Sequence, residues 1–193
     1  MATSAPPSTS QGHGLSRFNL PEQRLAELAA RAPCFTFHKQ SAKDMAIAAL
    51  THSSMSAKRN NMELSKVGEA SGKAAAVKAV FRRNDLFSGA DYDRYALSRF
   101  ATKNLAPIAR GIGLEELQRV GRGGPAAVSD EMCARAFLAL LGVLELTGGN
   151  DVVLRAISDL GILQLPPIRQ QIDIEEQGYR DPRQEPDTLP AHW

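Results

Sequence analysis

The sequence is poor in cysteine. It has two in 193 residues, Cys34 and Cys133. They have no CxxC spacing and no histidine pair beside them, which argues against a disulfide framework and a zinc site. A reducing compartment is the simpler expectation. Long apolar runs are also missing. The longest, Ala136–Leu144, is too short to cross a bilayer and is followed by Glu145, so no membrane partner is expected. No secretory signal peptide is visible. The first 17 residues carry no acid, and Arg17 is their one basic side chain apart from His13. That composition is faintly similar to an organellar transit peptide, and a plain disordered segment fits it as well. There is no internal repeat, no strand pattern and no phosphate loop. No serine, histidine and acid are spaced as a nucleophile triad.

What remains is helical. With 43% hydrophobic residues the chain can bury one sizeable core. Asn19-Leu20-Pro21-Glu22 reads as a helix start, and Leu25, Leu28 and Ala29 give that helix its buried face. Phe35 and Phe37 anchor the connection after it. Ser41-x-x-Asp44 reads as a capping pattern opening a second helix, and Ser88-Gly89-Ala90-Asp91 as another further on. Asn104–Leu117 forms a helical segment with Pro107 early in it. Met132 to Leu146 is apolar on nearly all sides and is expected to be buried. Gly148-Gly149-Asn150 stops it, and Asp151–Leu160 is a last helix. Residues 1–18 are expected to be disordered, 19–165 to form the domain, and 166–193 to be an extended acidic tail with several prolines. The expected fold class is all-α.

The net charge is only +2, but it is unevenly spread. Lys58 to Arg83 holds seven basic residues and two acids; Arg99 to Arg122 holds five and two. The tail is acidic. A basic core with an acidic tail suggests a polyanion partner for the core, with Lys58, Arg59, Lys66, Lys73, Arg119 and Arg122 as candidate phosphate contacts. The same charges would also serve as ordinary solvated helix faces.

The organising stretch is Met62–Arg83. Leu64, Val67, Ala74, Val77 and Phe81 fall near the spacing of a buried stripe. Gly68, Gly72, Ala76 and Ala79 form a second stripe with almost no side chain. Two interior glycines cost roughly 1 kcal/mol each against alanine, so another backbone is expected to come very close. This helix should therefore be central.

These residues carry a resemblance. Ala48-Ala49-Leu50-Thr51-His52-Ser53-Ser54 resembles the A-L-T-H-x-S segment of the ribonuclease III family. Leu64, Val67, Gly68, Glu69 and Ala70 match the L, L, G, D and A of that family's signature helix. Asn104–Leu117 resembles its L-A-x-I-A-R-x-L-G-L segment. In Ala134–Val143, Phe137, Ala139, Leu140 and Gly142 match a later helix. The resemblance implies the helical ribonuclease III endonuclease fold. It also implies four metal-binding acids, and these fall on Ser65, Glu69, Arg135 and Leu138. Only Glu69 is a carboxylate, whereas magnesium wants several oxygen ligands. The expectation is a noncatalytic domain without catalytic residues, metal or cofactor, with Glu69 and Arg135 paired where metal would sit. His52 is expected to bond at a helix end rather than act as a base.

Degenerate relatives of this kind, lacking a separate double-stranded RNA-binding domain, include large-subunit proteins of the mitochondrial ribosome, fungal ones among them. The resemblance therefore implies an RNA-binding structural role in mitochondria. Its partners would be ribosomal RNA, ribosomal proteins, and a second copy or related subunit as a dimer. The alternatives are a divergent double-stranded-RNA endonuclease and a noncatalytic dimer partner in an RNA-processing complex.

Overall fold

The computed structural model describes residues 20–83, 88–122 and 124–165. The expected N-terminal segment, the acidic tail and residues 84–87 lie outside them. The described chain forms eight α-helices: α1 (Leu20–Arg31), α2 (Gln40–Ala49), α3 (Asn61–Arg82), α4 (Gly89–Tyr95), α5 (Thr102–Gly111), α6 (Leu114–Leu117), α7 (Asp130–Gly148) and α8 (Asn150–Asp159). Short 3-10 turns follow α1 and α4. No strand is formed among the described residues; Thr51 and Arg119 make one isolated parallel bridge.

The two longest helices form the centre. α7 buries most of its surface, and α2, α3, α5 and α8 pack around it. Phe137 on α7 meets Phe35 edge-on, ring centroids 5.9 Å apart, so the connection after α1 is pinned to the core as expected. α3 crosses α7 backbone to backbone. A Cβ on Gly68 would lie 1.7 Å from the Leu138 carbonyl oxygen, and one on Gly142 would lie 2.2 Å from the Leu64 carbonyl oxygen. The glycines on both helices let the two ribbons touch. One turn on, the Phe100 ring fills the space over Gly72, where a Cβ would lie 2.4 Å from it.

The small-residue stripe is thus the buried face of α3, through Ser65, Gly68, Ser71, Gly72, Ala75 and Ala76. The larger stripe is not. Leu64, Val67 and Val77 are half-buried, Ala74 is exposed, and Phe81 is 74% exposed. The physical reason is that a helix presents its smallest residues where another backbone must approach. Its larger side chains are then rotated away from that contact.

Three helix starts differ from expectation or confirm it. α2 begins at Gln40, with Lys39 as its N-cap and no capping side chain, so Ser41 is not the cap; Gln40 instead donates to Asp44 Oδ1 at 3.0 Å. Ser88 and Asp91 do form a reciprocal capping box, as the pattern predicts. α5 begins at Thr102, so Pro107 falls past the first turn. It sits on the exposed side, where water can satisfy the carbonyl it leaves free.

The crossing gives a stability prediction. Gly68→Ala and Gly142→Ala should each cost about 3 kcal/mol, because backbone rather than a movable side chain blocks the new methyl. Gly111→Ala, where nothing lies within 4 Å, should be neutral or stabilising by up to about 1 kcal/mol. Urea unfolding of the three variants measures this, and a loss below about 0.5 kcal/mol at Gly68 would contradict the close crossing.

Candidate nucleic-acid interface

Two loops are stitched together on one side of the domain. The amide of Arg119 donates to Leu50 O at 2.8 Å, and that of His52 donates to Arg119 O at 2.9 Å. Asn61 N donates to Thr51 O at 3.0 Å, tying the start of α3 to the same bridge. Ser54 is the hub of the second layer. Its hydroxyl lies 2.9 Å from His52 Nδ1 and accepts from Gly121 N at 3.1 Å. Gly121 carries no Cβ because one would lie 2.4 Å from Ser54 O. His52 therefore closes a turn after α2 and holds a loop in shape.

Arg110 fixes the far side of this region. Its guanidinium donates to Asp130 Oδ1 at 3.0 Å, to Val128 O at 3.1 Å and to Glu115. The Glu115 and Asp130 bonds raise its pKa above the usual arginine value. α5, α6 and the start of α7 are clamped by one side chain.

The result is a face on which arginines converge. Arg59 and Arg119 line one cleft of about 320 Å³, with Thr51, Met55, Ser56 and the Asp44 carboxylate. Lys58 and Arg59 border the next hollow, against α2 and α3. Arg24 and Arg119 line a third, of about 700 Å³, which shares Met55 with the first. Burial, and after it the neighbouring Arg119 charge, lower the Arg24 pKa; Glu27 partly offsets them. Arg24 Nη1 donates to Leu117 O at 3.2 Å. Neither Arg59 nor Arg119 makes a side-chain hydrogen bond or ion pair among the described residues.

Of the six sequence candidates, the structure therefore brings together Lys58, Arg59 and Arg119. Arg122 is exposed, three residues beyond Arg119 in the loop after α6. Lys66 and Lys73 lie along α3, and Lys73 is engaged by Glu69 at 2.6 Å. Sequence reasoning missed Arg24 and Gln118. Arg24 stands on a helix whose pattern announces only its apolar face, and the fold alone places it beside Arg119.

The four positions assigned to metal-binding acids lie along α3 and α7. Ser65 donates its hydroxyl to Met62 O at 2.8 Å. Leu138 is half-buried at the helix crossing. The expected Glu69–Arg135 pair does not form. Arg135 bonds Glu131 one turn earlier on its own helix and reaches Met62 Sδ at 3.4 Å. Met62 stands two turns before Glu69 on α3, roughly 10 Å along the axis. Each charge has found an i,i+4 partner on its own helix, which is the shorter reach. One ion-paired carboxylate, an occupied hydroxyl, a guanidinium and an alkyl chain do not fit a magnesium ion. Among the described residues no three His, Cys, Asp or Glu side chains converge as a metal cluster.

Both cysteines are free thiols. Burial, then Asp159, pushes Cys34 up to about 11, and burial also raises Cys133. No helix among the described residues is long and apolar enough to cross a membrane.

The chain matches no family model. No curated protein matches it. Solved structures do. A structure of the nuclease domain of ribonuclease III from Campylobacter jejuni, described for flexibility in a region involved in dimer formation, is 20% identical with a TM-score of 0.60. It covers 70% of this chain and 94% of its own. A 2.2 Å crystal structure of the same nuclease domain is 19% identical with a TM-score of 0.60, covering 74% of this chain and 98% of that one. At this identity the likeness is one of fold: the chain has the all-α architecture of the ribonuclease III nuclease domain.

Proposed function

We propose that this chain is a noncatalytic ribonuclease III-like domain that binds structured RNA, as a structural component of the mitochondrial ribosome's large subunit. The observation that carries the RNA reading is the convergence of Lys58, Arg59 and Arg119 on one face, with neither guanidinium bonded among the described residues. A guanidinium offers five donors in a fixed fork that suits phosphate oxygens, and the stitched loops hold that fork in place. The noncatalytic reading is supported by the four assigned metal positions, whose side chains are spent on neighbours or lack oxygen. The ribosomal and mitochondrial setting comes from the sequence resemblance. So does the dimer, of this chain with itself or with a related subunit, and a region involved in dimer formation is described for one structural neighbour.

Two experiments test this. Purified protein with magnesium or manganese should leave long double-stranded RNA intact. Specific cleavage that disappears in Glu69→Ala would overturn the noncatalytic reading. RNA affinity should also fall as salt rises, since phosphate contacts release counterions. Replacing Arg59 and Arg119 together by alanine should flatten the slope of log affinity against log salt by roughly 1.4 to 1.8, one contact's worth for each arginine. A slope unchanged in that variant would place the RNA elsewhere. Co-sedimentation with native large ribosomal subunits distinguishes the ribosomal setting from a nuclease complex.

A further inference from the structure

The pocket shared by Arg24 and Arg119 differs in kind from an open basic face. It has a volume of about 700 Å³, within the range of small-ligand sites. Its walls are mostly apolar: Pro21 from α1, Val120 and Pro125 from the loop after α6, Val128 before α7. No carboxylate lines it among the described residues. Met55 stands at the rim, 47% exposed, and belongs equally to the cleft of Arg59.

At its inner wall is Gln118, only 6% exposed. Its Nε2 lies 3.8 Å from Cys133 Sγ, and its Oε1 has no partner among the described residues. Burial keeps Cys133 a protonated thiol, so the sulfur is itself a donor. Turning the amide over lets the thiol donate to Oε1 and leaves Nε2 unpaired instead. In either orientation one end of a buried amide has no partner among the described residues. Such a group is costly to bury, and because Oε1 is itself sealed from solvent it meets an entering group only when the Gln118 side chain turns toward the pocket. The two guanidiniums nearby repel each other, and an anion between them would relieve that repulsion.

We propose that this pocket receives one unpaired nucleotide of an RNA chain, its phosphate on Arg24 and Arg119, its base against the apolar walls, and its base edge on the Gln118 amide. The inference rests on the RNA-binding reading and names what that RNA must offer. Bases that leave a helix can be enclosed and read along their edges, whereas paired bases cannot. The soft Met55 thioether suits a base face. The strand leaving the pocket passes Met55 toward Arg59, so one phosphate track serves both clefts.

The test compares two RNA duplexes that are identical except for one bulged nucleotide, by fluorescence anisotropy with the full chain. The bulged duplex should bind about tenfold tighter, about 1.4 kcal/mol. Gln118→Leu and Arg24→Lys should each bring that ratio toward one, with circular dichroism showing both variants folded. Adenosine monophosphate should compete with the bulged duplex and not with the perfect one. Equal binding of both duplexes by the parent protein would overturn the pocket and leave the RNA-binding reading standing. Binding of neither would overturn both. A bulge preference that survives both substitutions would also overturn the pocket. Saturable binding of adenosine monophosphate without any bulge preference would reassign it to a free nucleotide and overturn the proposal.

Discussion

The contact of α3 with α7 through Gly68 and Gly142 is the constraint on which everything else depends. Where two helix backbones touch, no side chain can separate them, and their relative position has almost no freedom. The half-buried Leu64 and Val67, the ring of Phe100 over Gly72 and the bond from Ser71 to Glu145 at 2.5 Å are all set by that contact. Glycine in a helix is normally a weakness. Here the lost propensity is offset by backbone packing that alanine would forbid.

The same crossing explains how charge is arranged around it. Because the ribbons touch, long side chains cannot lie between them and are displaced to their flanks. Glu69 and Arg135 therefore satisfy themselves along their own helices, with Lys73 and Glu131. The arginines of the loop face follow the opposite logic. Thr51, Ser54 and Gly121 use backbone and hydroxyl groups to build the loops, and the side chains of Arg59 and Arg119 take no part in that bonding among the described residues. Glu69, Lys73, Glu131 and Arg135 spend their charge within the helices that carry them.

The helical class, the order of elements and the buried nature of α7 were legible because hydrophobic periodicity and capping report local structure. The glycine stripe was legible as a close approach, since nothing else justifies its cost. Which stripe faces inward was not. Leu64 through Phe81 has the better apolar score, yet backbone proximity selected Gly68, Gly72 and Ala76. The Glu69–Arg135 pairing failed because matched positions fix which residues share a helix and not their height along it. Arg24 and Gln118 were illegible for a different reason. Their roles arise from loops brought together across the chain, and no local pattern encodes such a meeting. Lys58, Arg59 and Arg119 were found only as members of a charge count, without the geometry that sets them apart from Lys73.

The bridge between Thr51 and Arg119 joins segments far apart in the chain. Closing so long a loop has an entropic cost, and two backbone bonds alone cannot offset it. The bridge therefore persists only when the helices between its ends have already docked. During folding, contacts of such wide separation follow the local helices and their packing. The arginine-bearing face is then among the last parts of the molecule to be completed. A nascent or partly unfolded chain would carry every one of these basic residues and still lack the surface they make together. A ligand that needs these residues together would meet them so only on the completed fold.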